Sequence, residues 1–125
     1  MEITTNIDKT AGLRTHKVTG VVSKNDLLLK LEEIYSIPDF EPDMNVLWDL
    51  RNADLASFSS DDIHRVRDFV VHKWGTDGTN RAALVVSRDI DFGLSRMYQV
   101  SLESITASKL QVFRDMDKAL AWLRS

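Results

Sequence analysis

The sequence contains no cysteine, and this absence removes several classes of site. Disulfide bonds, thiolate metal sites, iron–sulfur clusters and a cysteine nucleophile are all excluded. Two prolines and five glycines in 125 residues are too few for a collagen-like or low-complexity chain. No apolar run approaches the ~20 residues that a membrane-spanning helix needs, and residues 1–6 have neither the basic start nor the apolar run of a secretory signal. We therefore expect a cytoplasmic protein.

The charge balance is slightly acidic, with 19 acidic and 16 basic side chains and a net charge of −3. Nucleic-acid-binding domains concentrate positive charge, so we expect no nucleic acid partner. A hydrophobic fraction of 43% with 28% charged residues is typical of a globular protein. The length is that of one domain, which predicts a single unit over residues 1–125 with one core.

The hydrophobic pattern of the first half predicts a hairpin, a helix and a buried strand. Residues that alternate between apolar and polar indicate strands over 2–7 and 13–19, joined by a turn at Ala11-Gly12. Ser23 is a typical N-cap for a helix over about 24–36. The continuous apolar run 44–50 is typical of a central strand.

The second half predicts three more helices that alternate with two strands. Ser59 begins the first of these helices, Gly75 ends it, and Asp115 caps the last one. The other predicted elements are a strand over 82–86, a helix over 90–102, a strand over 110–113 and a helix from Met116 to Leu123.

The resulting order, ββαβαβαβα, predicts the fold class. Strands that alternate with helices need crossover connections, which produce parallel neighbours and right-handed βαβ units. We therefore expect an α/β fold with a five-stranded, mostly parallel sheet and four helices, in which the N-terminal strand is the antiparallel edge.

Three segments of the sequence resemble a known family. They are the strand Val46–Arg51, the segment Asp91–Tyr98 and the ending Val112–Leu123. Together they resemble the bacterial SpoIIAA-like proteins, distant relatives of the anti-sigma factor antagonist (STAS) domains whose fold is also compared with the Sec14 (CRAL-TRIO) lipid-binding domains. The resemblance covers about residues 44–124. It implies the same α/β fold, no enzymatic activity, and association with a ligand or a membrane.

The serines before the second helix have two interpretations. In anti-sigma factor antagonists a phosphorylatable serine begins the helix after the central strand, and Ser59 and Ser60 occupy a comparable place. A phosphate there would be opposed by Asp61 and Asp62, which already lie at the positive helix end. In the other interpretation Ser59 forms a capping box and accepts a hydrogen bond from the amide of Asp62.

The start of the third helix contains a second candidate site. Gly93 allows another group to approach the backbone, and Arg96 offers a planar, permanently charged fork. A helix N-terminus beside an arginine suits an anionic head group. Alternatively, Gly93 permits tight helix packing and Arg96 pairs with Asp89 or Asp91.

Large apolar side chains recur on the strands and helices, and they are compatible with a pocket or with plain core packing. A pocket between the sheet and helices two and three would have the size of an acyl chain. The residues concerned are Trp48, Phe69, Trp74, Met97, Tyr98 and Trp122.

No pattern of catalytic or metal-binding residues occurs. His64 and His72 lie eight positions apart, too far to ligate one ion unaided, and His16 lies in a strand. Asp49 ends a predicted parallel strand, where α/β ligands usually bind, but no nucleophile or histidine accompanies it in the pattern. We expect no enzyme, no metal and no cofactor.

These observations predict a non-enzymatic domain that binds a small amphipathic or lipid-like ligand or associates peripherally with a membrane. Arg96 and the turn around Gly93 would meet the polar end of the ligand. The alternative is a regulator of the anti-sigma factor antagonist type, which contacts a regulatory protein partner through Ser59 or Ser60. A homodimer is compatible with exposed apolar helix faces.

Overall fold

Five strands form one sheet in the order in which they occur along the chain. The computed structural model describes residues 1–38, 40–76, 78–107 and 109–125. The elements are β1 (Glu2–Asp8), β2 (Leu13–Val21), α1 (Lys24–Tyr35), β3 (Asn45–Asp54), α2 (Ser60–Trp74), β4 (Arg81–Val85), α3 (Asp89–Glu103), β5 (Lys109–Phe113) and α4 (Met116–Arg124). The predicted order and fold class are confirmed.

The sheet is mixed, because β1 runs antiparallel to β2 while β2 to β5 are parallel. The hairpin between β1 and β2 turns at Gly12, whose φ of 64° favours glycine. Residues of equivalent register form rows across the parallel strands, and one row contains Arg14, Val46, Ala82 and Leu110. This row lies at the amino ends of the strands.

The two faces of the sheet pack against different helices, since consecutive strand residues point to opposite faces. Leu84 and Val112 belong to a core cluster that also contains Leu102 of α3 and contacts residues of α1 and α2. Ala83 belongs to a second cluster, which α4 completes. Three helices therefore cover one face and α4 covers the other.

The predicted helix caps are present. Ser23 Oγ accepts a hydrogen bond from the Asp26 amide at 3.3 Å, and Asp115 Oδ1 accepts from the first turn of α4. Gly75 ends α2 with a φ of 78°. Each of these caps satisfies backbone groups that a helix end leaves without a partner.

The central strand is longer than the sequence predicts, which corrects the position of Asp49. β3 continues to Asp54 because its second half keeps pairing with β2 beyond a bulge between Lys17 and Thr19. Residues 51–54 are mostly polar, so the hydrophobic pattern gives no sign of this extension. Asp49 therefore lies in mid-strand.

A cluster of charged residues fixes the start of α3 to the carboxyl end of β3. Arg88 Nε donates to Asp91 Oδ2 at 2.8 Å, and Arg88 Nη2 donates to Asp54 Oδ1 at 2.7 Å. Asp91 is only 1% exposed and also accepts a hydrogen bond from the Leu55 amide at 3.0 Å. These hydrogen bonds raise the pKa of Arg88. The cluster joins two loops at the carboxyl edge of the sheet.

Candidate functional site

A cavity of about 440 Å³ lies between the sheet and the helices α1, α2 and α3. Ligand pockets commonly measure about 300–1,000 Å³ and are mostly apolar with a few polar groups. The walls are mainly aliphatic and aromatic, and they include Val66, Val70, Leu84, Leu94, Leu102 and Leu110. Trp48 on β3 and Trp74 on α2 line this cavity. Tyr98 on α3 lines it as well, so the structure brings together three of the six residues predicted to form an apolar pocket.

Arg14 is a buried cation in the wall of this cavity. It is 6% exposed, and its neighbours in its row of the sheet are apolar. Its guanidinium carbon lies 4.1 Å from the centre of the Phe40 ring, and Nη1 donates to the Glu41 carbonyl at 3.3 Å. No carboxylate forms an ion pair with Arg14 in the part of the chain that the structure describes. Burial lowers the pKa of Arg14 to about 10, so the group remains a cation at neutral pH.

His16 accepts a hydrogen bond from the Arg14 side chain. Arg14 Nε donates to His16 Nε2 at 2.8 Å, so the neutral imidazole carries its proton on Nδ1, which lies 2.9 Å from Thr5 Oγ1. The His16 ring also packs on Trp48, with 4.3 Å between ring centres. Burial and the adjacent Arg14 cation lower the pKa of His16 to about 3. His16 is therefore a neutral acceptor at physiological pH.

Four aromatic rings lie close together at this end of the cavity, and one of them, Phe40, contacts Arg14. Tyr35 lies 5.1 Å from Phe40 and 5.0 Å from Trp74, and Phe40 stacks on Trp74 at 5.0 Å. Phe69 stacks on Tyr35 at 6.2 Å but does not line the cavity. Burial raises the pKa of the Tyr35 hydroxyl. Tyr35, Phe40 and Trp74 therefore form an aromatic part of the cavity wall, in which Phe40 covers the Arg14 guanidinium.

Two hydroxyl groups in the cavity wall lack a hydrogen-bond partner among the described residues. They are Ser95 Oγ on α3 and Thr106 Oγ1, which follows α3. A buried hydroxyl without a partner costs about 1–3 kcal/mol. A bound molecule with polar atoms would satisfy these groups.

Gly93, Arg96 and Met97 lie outside this cavity. They line an open groove between α2 and α3, with His64 and Arg67 on its other side. Gly93 is in the second turn of α3 and not at its start, and a Cβ added there would contact no described atom within 4 Å. The groove and the cavity are therefore separate surfaces.

Arg96 has a partner that the sequence does not suggest. Its Nη1 donates to Gln99 Oε1 at 3.0 Å, whereas Asp91 pairs with Arg88 and Asp89 pairs with Arg114. The predicted ion pairs of Arg96 with Asp89 or Asp91 are wrong, because both carboxylates have other arginine partners.

Ser59 forms the predicted capping box. Its hydroxyl accepts a hydrogen bond from the Asp62 amide at 3.1 Å, and its own amide donates to Asp62 Oδ2 at 3.1 Å. Ser60 is the exposed first residue of α2. A phosphate on Ser59 would break the box and would lie beside two aspartates.

Asp49 forms an ion pair with its near neighbour Arg51. Arg51 Nε and Nη2 donate to the two carboxylate oxygens at 2.9 and 3.0 Å. These hydrogen bonds lower the pKa of Asp49. A carboxylate that accepts a bidentate arginine is held in its charged form.

Among the described residues, no group of three or more His, Asp or Glu side chains is placed to hold a metal ion. In the same part of the chain, no helix has both the length and the hydrophobicity needed to cross a membrane.

Comparisons with known proteins identify the fold. No protein-family model matches the chain, and no curated protein matches its sequence. The structure is similar to that of an uncharacterized protein of the DUF3478 family with a SpoIIAA-like fold from Shewanella loihica PV-4. The TM-score is 0.57 at 17% sequence identity, and the alignment covers 98% of this chain and 92% of the other. The chain thus has a SpoIIAA-like α/β fold.

Proposed function

We propose that the protein binds a small amphipathic molecule in the cavity between the sheet and α1, α2 and α3. The observation that carries this proposal is the cavity itself, whose volume of about 440 Å³ is enclosed mainly by apolar side chains. Burying a hydrocarbon chain there would contribute about 0.8 kcal/mol for each methylene group. The polar groups at the wall would fix the orientation of the ligand.

Peripheral membrane association is a second candidate, which the outer face of α3 favours. Ile90, Met97 and Val100 are 51%, 42% and 63% exposed, and Arg96 lies beside them. Apolar side chains next to a cation suit an anionic membrane surface. The same surface would bring the protein close to a source of amphipathic ligands.

Regulation through Ser59 receives less support from the geometry. The hydroxyl that would carry the phosphate is already used as a helix cap. Loss of a serine cap costs about 0.5–2 kcal/mol. Phosphorylation of Ser59 would therefore disrupt the cap at the start of α2 and would also add negative charge there.

Tryptophan emission provides a direct test of ligand binding. Trp48 and Trp74 line the cavity, whereas Trp122 packs on Phe113 on the other face of the sheet. In a Trp122→Phe protein, 1-dodecanol below its solubility limit should change the emission of the two remaining tryptophans in a saturable manner with a stoichiometry of about one.

A cavity-filling variant and a matched control complete this test. Ala82 lies in the cavity wall, so Ala82→Phe should weaken binding at least about tenfold, because the phenyl ring takes up the space. Ala121 is exposed on α4, and Ala121→Phe should leave binding unchanged. Equal affinities of the two variants, or no saturable response in the parent protein, would contradict the proposal. Circular dichroism verifies that both variants are folded.

A further inference from the structure

We propose that the cavity accepts an amphipathic carboxylate whose head group is bound by Arg14, with His16 as the residue that positions the guanidinium. This inference rests on the proposed function, since it specifies the chemistry of the molecule in the same cavity. It replaces Arg96, which the sequence suggested for this role, by a residue on a different element and on a different surface.

Arg14 carries its positive charge in the protein interior. A buried cation is costly unless an anion compensates it. Arg14 is 6% exposed and lines the cavity, yet its contacts among the described residues are neutral: an imidazole, a carbonyl oxygen and an aromatic ring. Asp43 also lines the cavity but is exposed and forms no ion pair with Arg14. An anion that enters the cavity would supply the missing charge.

Arg14 has hydrogen-bond donors that the described residues do not use. Its Nε is committed to His16 and its Nη1 makes a long hydrogen bond of 3.3 Å to Glu41, while Nη2 donates to no described residue. A guanidinium presents a planar fork that matches the two oxygens of a carboxylate. The free donors therefore suit a carboxylate that lies at the cavity wall.

The charge of the cavity wall limits the charge of the ligand. Arg14 is the buried cation of the described cavity wall, whereas Lys109, which also lines it, is exposed. One guanidinium balances one negative charge. A phosphate monoester carries about −1.5 to −2 at neutral pH and would remain partly uncompensated. A monoanion is therefore the better match.

His16 gives Arg14 a fixed orientation. Its Nε2 accepts from Arg14 Nε, and its Nδ1–H donates to Thr5, so both ring nitrogens are used. The ring also packs on Trp48, which restricts its rotation. Such supporting hydrogen bonds hold a recognition side chain in its binding geometry before the ligand arrives.

The test compares three probes that share one alkyl chain: dodecanoate, 1-dodecanol and dodecyl phosphate, below their micelle-forming concentrations and at neutral pH. The protein is the full chain with Trp122→Phe, monitored by tryptophan emission. A charge-assisted pair of hydrogen bonds predicts that dodecanoate binds about 10- to 100-fold more tightly than dodecanol. In Arg14→Met the two affinities should become equal, while dodecanol still binds.

Two further variants separate recognition from a general loss of structure. His16→Phe keeps an aromatic ring beside Trp48 but removes the acceptor for Arg14 Nε, so the preference for dodecanoate should fall by about threefold or more. Arg96→Met, the matched control, should leave the preference unchanged. The ratio of two affinities within one variant does not depend on a uniform loss of folded protein. If Arg14→Met does not fold, His16→Phe carries the same test.

Several results would overturn the inference. They are equal affinities for dodecanoate and dodecanol in the parent, a preference that persists in Arg14→Met, and tighter binding of dodecyl phosphate than of dodecanoate. If dodecanol binds without preference, only the carboxylate assignment fails. If no probe binds, the proposed function fails with it.

Discussion

Replacing Asp91 by alanine should lower the free energy of unfolding by about 3 kcal/mol. Asp91 is 1% exposed, and its carboxylate accepts hydrogen bonds from the Leu55 amide and from Nε and Nη2 of Arg88. Breaking a buried charge pair costs about 3–5 kcal/mol because one partner is left uncompensated. We expect a loss at the lower end of this energy range, because Arg88 is about half exposed and keeps its hydrogen bond to Asp54.

Asp89 provides the matched control for this prediction. It lies in the same first turn of α3 and also pairs with an arginine, Arg114 at 2.7 Å, but its side chain is 92% exposed. Asp89→Ala should change the free energy of unfolding by less than about 0.5–1 kcal/mol. Urea unfolding followed by circular dichroism measures both variants. A loss for Asp91→Ala as small as that for Asp89→Ala would show that the cluster at the carboxyl edge of the sheet does not stabilise the fold.

The second large effect is a loss of stability in mild acid through His16. This imidazole has a pKa of about 3 in the folded protein, against an ordinary value of 6.5. Between these two pH values the unfolded chain binds a proton that the folded protein does not bind, so stability falls as the pH falls below about 6.5. The slope is about 1.4 kcal/mol per pH unit. We expect a loss of about 2–3 kcal/mol between pH 7 and about pH 4.5.

Carboxylates contribute to the loss of stability in acid only at a lower pH than His16 does. Hydrogen bonds from the Ala56 amide and Arg88 lower the pKa of Asp54, and those from Arg51 lower the pKa of Asp49, so their contributions are lost as the pH falls below about 4. Urea unfolding at a series of pH values from 7 to about 4.5 therefore reports mainly on histidine. His16→Phe should remove most of the dependence of the free energy of unfolding on pH. His72→Gln, at an exposed position, should leave this dependence unchanged. An unchanged slope in His16→Phe would show that His16 becomes charged in the folded protein.

The elements of the fold could be predicted because local patterns determine them. The serine caps at Ser23 and Ser59, the aspartate cap at Asp115 and the glycine that ends α2 each act within a few residues of the chain. The extension of β3 could not be predicted in this way. It depends on pairing with β2 across a bulge, which is a contact between segments distant in sequence.

Arg14, which lines the cavity, and its partner His16 could not be predicted for a similar reason. The sequence predicts a strand over 13–19 without assigning a role to Arg14, but the structure buries Arg14 and His16 on the same face as Val18. Their partners come from β1 and from the loop after α1, so no local pattern shows that these groups are satisfied. One signal was available, because the hairpin turn at Gly12 places Thr5 opposite His16.

The placement of Arg96 shows that a sequence pattern can also suggest a site that lies away from the cavity. An arginine one turn after a glycine suggested an anion site at the start of a helix. In the structure α3 begins at Asp89, one residue before the predicted start, so Gly93 and Arg96 both lie beyond the first turn, to which the positive end of the helix is confined. The carboxylates near this helix start are paired with Arg88 and Arg114, and these contacts with side chains outside the predicted helix could not be read from its local pattern.

The central claim is that the cavity beside Arg14 binds an amphipathic molecule. Native mass spectrometry of protein purified gently from its own host tests this claim most directly, followed by denaturing extraction and identification of any released molecule. We predict a mass increment from one bound molecule per chain, and a released compound with an apolar chain and a carboxylate. A chain without a bound molecule that carries a covalent phosphate on Ser59 or Ser60 would contradict this account and support the regulatory alternative.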